Sequence, residues 1–214
     1  MEAYQHWDTR RPESPTRSKL YSLAPIGGGT AEVESLTGYI ARLAQEHCLT
    51  PLTLLSKIVA GYMSDSFRIQ KTGIYPQFAR VLNGTWSKSQ AFTEALELLT
   101  SRSDVRYTSL VTYVGVISSQ QLIRAKRAWC STCFDEQARR GIVVYEPLIW
   151  SVAVVSICLH HRKLLTVACP RCGSEQAPLS SFMRPGYCAR CRSWMGADQG
   201  QQTSVNALTA ELSQ

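Results

Sequence analysis

Between Cys130 and Cys191 the chain sets out four ligand pairs at a single spacing: Cys130-x2-Cys133, Cys158-x2-His161, Cys169-x2-Cys172 and Cys188-x2-Cys191. Nothing else in the sequence restricts the fold as strongly. Two residues between two ligands close a tight turn that offers both side chains to one point, and zinc takes four such N/S donors at tetrahedral corners. The start of the chain, Met1 to Trp7, lacks the basic-then-apolar pattern of a signal peptide, so a reducing cytoplasmic setting is expected. In that setting paired cysteines imply metal rather than disulfides.

Chain order groups the ligands into two sites, Cys130/Cys133/Cys158/His161 and Cys169/Cys172/Cys188/Cys191. Interleaved pairing is the alternative arrangement. His161 keeps the two-residue gap after Cys158, whereas His160 leaves only one residue between, so His161 is favoured. Cys169-Pro170-Arg171-Cys172-Gly173 has the composition of a knuckle, with Pro setting the turn and Gly free to adopt the left-handed conformation after the last ligand. Each site is filled by four protein donors, whereas a catalytic zinc keeps a position open for water. Two structural zinc ions are therefore expected, holding together a loop-rich region that has little apolar core of its own. The eighth cysteine, Cys48, has no partner pair and reads as a small buried residue on a helix.

The net charge is +7. From Gln120 to Met195 there are eleven Lys/Arg against four Asp/Glu, so the excess lies with the cysteines. A basic half of this kind suits a polyanion such as nucleic acid. Arg124, Lys126, Arg127, Arg139 and Arg140 are the candidate phosphate contacts, three of them beside Trp129. No catalytic set emerges: His6, His47, His160 and His161 have no nearby serine–acid or thiol pair, and carboxylates are too scattered for a two-metal site. No apolar run reaches the length of a membrane span.

Four segments follow: a flexible basic arm at 1–19, a helical part at 20–123, a zinc-finger region at 124–195 and a polar tail at 196–214. Gly27-Gly28-Gly29 reads as a turn, since no Gly-Lys-Ser/Thr follows it. Leu36, Tyr39, Ile40, Leu43, Ala44 and His47 recur at steps of three and four, which predicts an amphipathic helix over 35–48 capped by Ser35. Thr50-Pro51 restarts the chain as cap and first helical residue, and Leu54, Leu55, Ile58 and Val59 face inward until Gly61. The pair resembles a helix-turn-helix, although Pro51-Leu52-Thr53 is poor in groups that read bases. Ser87-Lys88-Ser89-Gln90 has the pattern of a capping box before a helix carrying Phe92, Ala95, Leu96 and Leu99. Tyr107 to Ile117 fits either a buried strand or a short apolar helix. Ile142 to Ile157 is expected to pack the first zinc site against the helices.

The motifs together resemble the TniQ family, also called TnsD/TniQ, the target-selection proteins of transposons that use an integrase-type transposase and an AAA+ ATPase. The resemblance rests on Leu23-Ala24-Pro25, on Glu34-Ser35-Leu36-Thr37-Gly38-Tyr39-Ile40-Ala41-Arg42-Leu43-Ala44, on Arg127-Ala128-Trp129-Cys130-x2-Cys133, on Tyr145-Glu146-Pro147-Leu148-Ile149-Trp150, and on the run from Val155 through His161 to Gly173. It departs from the family at Ser131, where proline is usual, and at Val33, where glycine is common. Larger members carry a further region that reads a fixed attachment site. If it is complete, this chain resembles the short members, which act as adaptors between the ATPase and a targeting complex, some of them RNA-guided; a truncation of a longer member is the alternative. The resemblance implies a mainly α protein with small zinc-knuckle modules, no enzymatic activity, and as partners the AAA+ ATPase, DNA, and a guide RNA or CRISPR effector. A stand-alone DNA-binding regulator is the alternative reading.

Overall fold

The computed structural model describes residues 17–63 and 76–196. Most of the expected arm, including His6, Arg10 and Arg11, and the expected tail beyond Gly196 lie outside these residues.

Helix α1 spans Leu36–Glu46. Ser35 caps it as expected, its Oγ accepting from the Gly38 N–H at 3.1 Å. Every residue from Leu36 to Ala44 is buried, so this is a central helix rather than a half-exposed one. The one charge in that stretch, Arg42, is neutralised by the buried Glu34 in a two-point pair, Nε to Oε1 at 3.0 Å and Nη2 to Oε2 at 2.7 Å. The Leu23-Ala24-Pro25 segment closes over the same helix: the Tyr39 hydroxyl donates to the Leu23 carbonyl at 3.0 Å and Arg42 Nη2 to the Ala24 carbonyl at 2.8 Å. Two of the sequence motifs are thus halves of one polar clasp. Cys48 corrects the sequence reading. It is exposed, just past the helix, with φ of 54°.

Thr50 caps the next segment, accepting from the Thr53 N–H at 3.2 Å with Pro51 in the first turn. The expected single helix is irregular: α2, Pro51–Thr53, widens to a π turn at Leu54–Ile58 and tightens to a 3-10 turn at Val59–Tyr62. The departure lets the adjacent Leu54 and Leu55 both lie fully buried beside Val59. A 3-10 segment, Pro76–Asn83, follows. Its Asn83 reaches the start of α1, accepting from the Thr37 N–H at 3.0 Å and donating to Thr37 Oγ1 at 3.1 Å.

Helix α3 spans Ser87–Thr100. The capping box does not form. Trp86 stands at the cap position without a side-chain bond, Ser89 Oγ donates to the Leu82 carbonyl, and Gln90 bonds Glu94. The helix therefore begins at the serine that was to cap it. The Trp86 indole lies on Gly84, where a Cβ would sit 2.0 Å from the ring, so only glycine allows this entry. Beyond α3, Val105–Thr108 and Leu110–Tyr113 are two 3-10 turns. Val105 and Thr108 anchor them, but Tyr107, Tyr113, Val114, Val116 and Ile117 are exposed, so neither a buried strand nor an apolar helix forms here.

Helix α4, Ser131–Arg139, starts directly after the first cysteine ligand. It buries Cys133, Phe134 and Gln137, an i, i+1, i+4 stripe that the cysteine spacing masked in the sequence. The run from Ile142 to Ile157 packs only through its middle. Tyr145, Leu148 and Trp150 are buried, while Ile142, Val143, Val154 and Ile157 are exposed. Among the described residues the β-structure is limited to isolated bridges.

Two apolar clusters result. One surrounds α1 and α3, and it takes in Leu179 and Met183 from between the third and fourth ligand pairs. The other surrounds Trp129, Phe134 and Trp150. They are tied by the Glu34–Pro147 bridge and by backbone bonds from Ser35 to Glu146 at 2.9 Å and from Leu148 to Val33 at 2.7 Å.

Candidate metal centres and the basic surface

The last three ligand pairs share one backbone design. In each, the residue after the second ligand donates its N–H to the carbonyl of the first: Arg162 to Cys158 at 2.8 Å, Gly173 to Cys169 at 2.9 Å, Arg192 to Cys188 at 3.0 Å. In each, the first ligand's own N–H goes to the residue five positions on: Lys163, Ser174 and Ser193. A bridge closes each hairpin, Ile157–Leu164, Ala168–Glu175 and Tyr187–Trp194. The geometry requires positive φ after the second ligand, and the values are 51° at Arg162, 64° at Gly173 and 61° at Arg192. Only Gly173 advertised this in the sequence. The Cys130 pair differs, because Cys133 sits within α4.

The grouping by chain order is the one the fold builds. Cys130, Cys133, Cys158 and His161 converge, as do Cys169, Cys172, Cys188 and Cys191, with ligand atoms of each set within 4.8 Å of one another. Measured edges are 3.5 Å for Cys133–Cys158, 3.7 Å for Cys169–Cys191 and 3.8 Å for Cys172–Cys188. The His161 Nδ1 lies 3.4, 3.3 and 3.7 Å from the sulfurs of Cys130, Cys133 and Cys158. A tetrahedral zinc with ordinary bond lengths sets sulfurs about 3.8 Å apart and a sulfur and imidazole nitrogen about 3.6 Å apart. The donor sets therefore fit such an ion. All eight cysteines are free thiols, and the sulfur separations are far beyond the roughly 2.0 Å of a disulfide. His160 stays outside, its Nε2 paired with Glu32.

Both sites carry outer support that the sequence reading missed. With Nδ1 turned to the thiols, His161 Nε2 carries the proton and donates to Glu136 Oε1 at 3.0 Å. Glu136 stands on α4 three residues past Cys133, so the helix that supplies a ligand also orients another. Gln176 Nε2 donates to Cys188 Sγ at 3.3 Å, and its Oε1 accepts from the Ala189 N–H at 2.8 Å. Hydrogen bonding from Cys133 draws the Cys130 thiol down to about 5 and raises Cys133 in turn, while Ser193 holds Cys191 down to about 6 and Cys172 is raised to about 11. In each set one thiol ionises at the expense of a neighbour, the repulsion that a shared cation would relieve. Around the first site Phe134 packs edge-on to Trp150 at 5.7 Å, and Trp194 donates Nε1 to Asp135 Oδ1 at 2.8 Å.

The five candidate phosphate contacts divide. Arg139 and Arg140 are exposed at the end of α4, and Lys126 is exposed with Glu175 at 3.6 Å. Arg127 is buried, with Nε and Nη2 on the two oxygens of Glu146. Arg124 is half-buried, its Nη2 on the carbonyls of Val152 and Val155. Neither lies on an open surface, so of the five candidates Arg139, Arg140 and Lys126 are the exposed ones. Arg127 and Glu146 belong to two of the resembling motifs, and their pairing joins those motifs as Tyr39 and Arg42 join α1 to the Leu23-Ala24-Pro25 segment.

These features define a mainly helical protein followed by two tandem Cys/His metal-binding clusters. The sequence profile of the TniQ family matches residues 25–165, and the chain belongs to that family. Membership associates it with DNA transposition. The match spans the helical core and the first cluster, while the second cluster lies beyond it. No curated protein matches the chain. No helix among the described residues is long and apolar enough to cross a membrane.

Proposed function

We propose that this chain is a non-enzymatic target-selection adaptor in DNA transposition, linking an AAA+ ATPase on DNA to a targeting complex. The observation that carries the reading is the family match, which runs through both the Glu34–Arg42 clasp and the first ligand set. Two zinc ions serve as structure, because each site is closed by four protein donors and leaves no position for water. An exposed apolar groove of about 650 Å³, lined among others by Val33, Tyr107, Leu110, Tyr113, Leu148 and Val152, supports a role among protein partners. Arg139, Arg140 and Lys126 are the surface charges for contact with nucleic acid.

The stand-alone regulator is less favoured. Residues Leu36 to Ala44 of α1 are all buried, and from Pro51 to Ala60 the exposed side chain is Lys57 alone, which leaves little to read a groove.

The test is co-sedimentation of this protein with the AAA+ ATPase encoded beside its gene, with ATP and duplex DNA. Retention that depends on both is expected. No retention by a protein holding two zinc ions would discard the adaptor reading in favour of the regulator.

A further inference from the structure

The two metal modules present different surfaces. The hairpin of the first ligand set exposes the aliphatic side chains of Ile157, Leu159 and Leu164 beside Arg162 and Lys163. The second module, from Cys169 to Gly196, exposes no Val, Leu or Ile. Of its eight exposed residues four are arginines, Arg171, Arg184, Arg190 and Arg192, so cations dominate what it offers to a partner. The only acid in that stretch, Glu175, faces Lys126 at 3.6 Å and does not answer them. No lysine stands among them. A guanidinium, unlike an ammonium, lies flat on rings and forks onto phosphate oxygens. This module also lies beyond the residues that the family profile matches.

The contacts join part of this charge into one strip. Arg171 Nη1 donates to Ser193 Oγ at 3.0 Å, which holds the Cys169 knuckle against the Cys188 knuckle. The residue before Ser193, Arg192, lays its guanidinium over the Phe182 ring at 4.2 Å. Phe182 is 55% exposed, yet its neighbour Met183 is buried in the helical core, so the ring stands on a fixed base. Arg190 lies in the same loop as Arg192, exposed and without a hydrogen bond or ion pair to another described residue. A tetrathiolate around a divalent cation keeps two negative charges, which nearby cations offset. The groups that bond to the Cys188 sulfur are nevertheless Gln176 Nε2 and the Cys191 N–H, while these guanidiniums bond or stack elsewhere.

We propose that this face binds an unpaired nucleic-acid strand, with a base against Phe182 and the plane of Arg192, and backbone phosphates on Arg171 and Arg190. The chemistry selects that partner. Phosphates explain the arginines but leave an exposed ring without a role. A base supplies a flat surface to the ring, and an unpaired base is free to leave its own stack. The strip uses residues other than Arg139 and Arg140 of α4. The isolated chain binds the strand by itself, so co-sedimentation with the ATPase succeeds or fails separately.

The test is fluorescence anisotropy of the metal-loaded full chain with a labelled mixed-sequence DNA strand about twenty nucleotides long, single or annealed to its complement, across a salt series. Tighter binding of the single strand is expected. Phe182→Ala weakens it about tenfold, the loss of one stacked base, and leaves the salt slope unchanged. Arg190→Gln takes about 0.7 from that slope, the share of one phosphate on a single strand. Both side chains are exposed, and both variants hold zinc as tightly as the wild type, read by competition with a chelator. The proposal is overturned by absence of single-strand binding, by equal or tighter binding of the duplex, by wild-type affinity in Phe182→Ala, or by an unchanged salt slope in Arg190→Gln. Loss of zinc affinity in Arg190→Gln with that slope intact would assign the arginines to the charge of the metal site. A slope that falls only in the Arg139→Gln, Arg140→Gln double variant would move the contact to α4 and overturn the proposal as well.

Discussion

The cluster around Leu36, Leu43 and Leu96 contains no cysteine, whereas the cluster around Trp129 includes the buried thiols of Cys130, Cys133, Cys158, Cys169 and Cys188. The first is an ordinary apolar core, in which leucine and aromatic side chains leave water as helices pack. The second has thiols where the first has leucines, few other apolar side chains and a backbone of hairpins and turns, so a cation shared by those thiols is expected to supply what apolar burial does not. The difference teaches where each half obtains its stability. It also shows that the halves are not independent: Leu179, fully buried in the helical core, lies between ligands Cys172 and Cys188.

The largest test of this contrast is metal removal. A structural zinc contributes on the order of 10 kcal/mol at neutral pH, so chelation should collapse the second half. Near-ultraviolet circular dichroism from Trp129, Trp150 and Trp194 should vanish, while much of the far-ultraviolet helix signal of α1 and α3 persists. Loss of both signals in one step would mean a single cooperative unit and break the contrast.

Leu179→Ala sharpens it from the other side. A fully buried leucine cut to alanine costs about 2–5 kcal/mol. The expected result is a lower melting temperature of the helices with zinc still at two per chain. Zinc loss instead would place Leu179 functionally in the metal half.

A smaller effect is expected at Glu136, which orients His161 from α4. Glu136→Ala should weaken zinc about 10–100-fold at the first site and leave the second unchanged, read by competition with a chromophoric chelator. Equal weakening at both sites would show that the sites are coupled.

The smallest effect belongs to Arg162, held at a φ of 51° where its hairpin needs a left-handed residue. Arg162→Gly should relieve that strain and stabilise the protein by roughly 0.5 kcal/mol after glycine's own entropy cost. A destabilised variant, measured by denaturant unfolding, would show that the Arg162 side chain matters more than its backbone.

The sequence alone determined which cysteines converge in two groups of four donors, with His161 rather than His160 among them, and the helical core of α1 and α3. The reason is that these depend on local spacing: two-residue gaps make knuckles, and steps of three and four make helical faces. The cap at Ser35 was legible for the same reason. What only the tertiary structure decided are partners distant in the chain. Arg127 counts among the local positive charges beside Trp129, and nothing local marks that Glu146 is folded against it. The 107–117 segment read as buried because its apolar content is real, but much of it stays exposed once the chain has folded. The trigger for α3 passed from Ser87 to the Trp86–Gly84 contact, which no capping pattern encodes. The Arg192–Phe182 stack likewise joins residues that no motif spacing links, since only tertiary packing lays a guanidinium over a ring from another part of the chain.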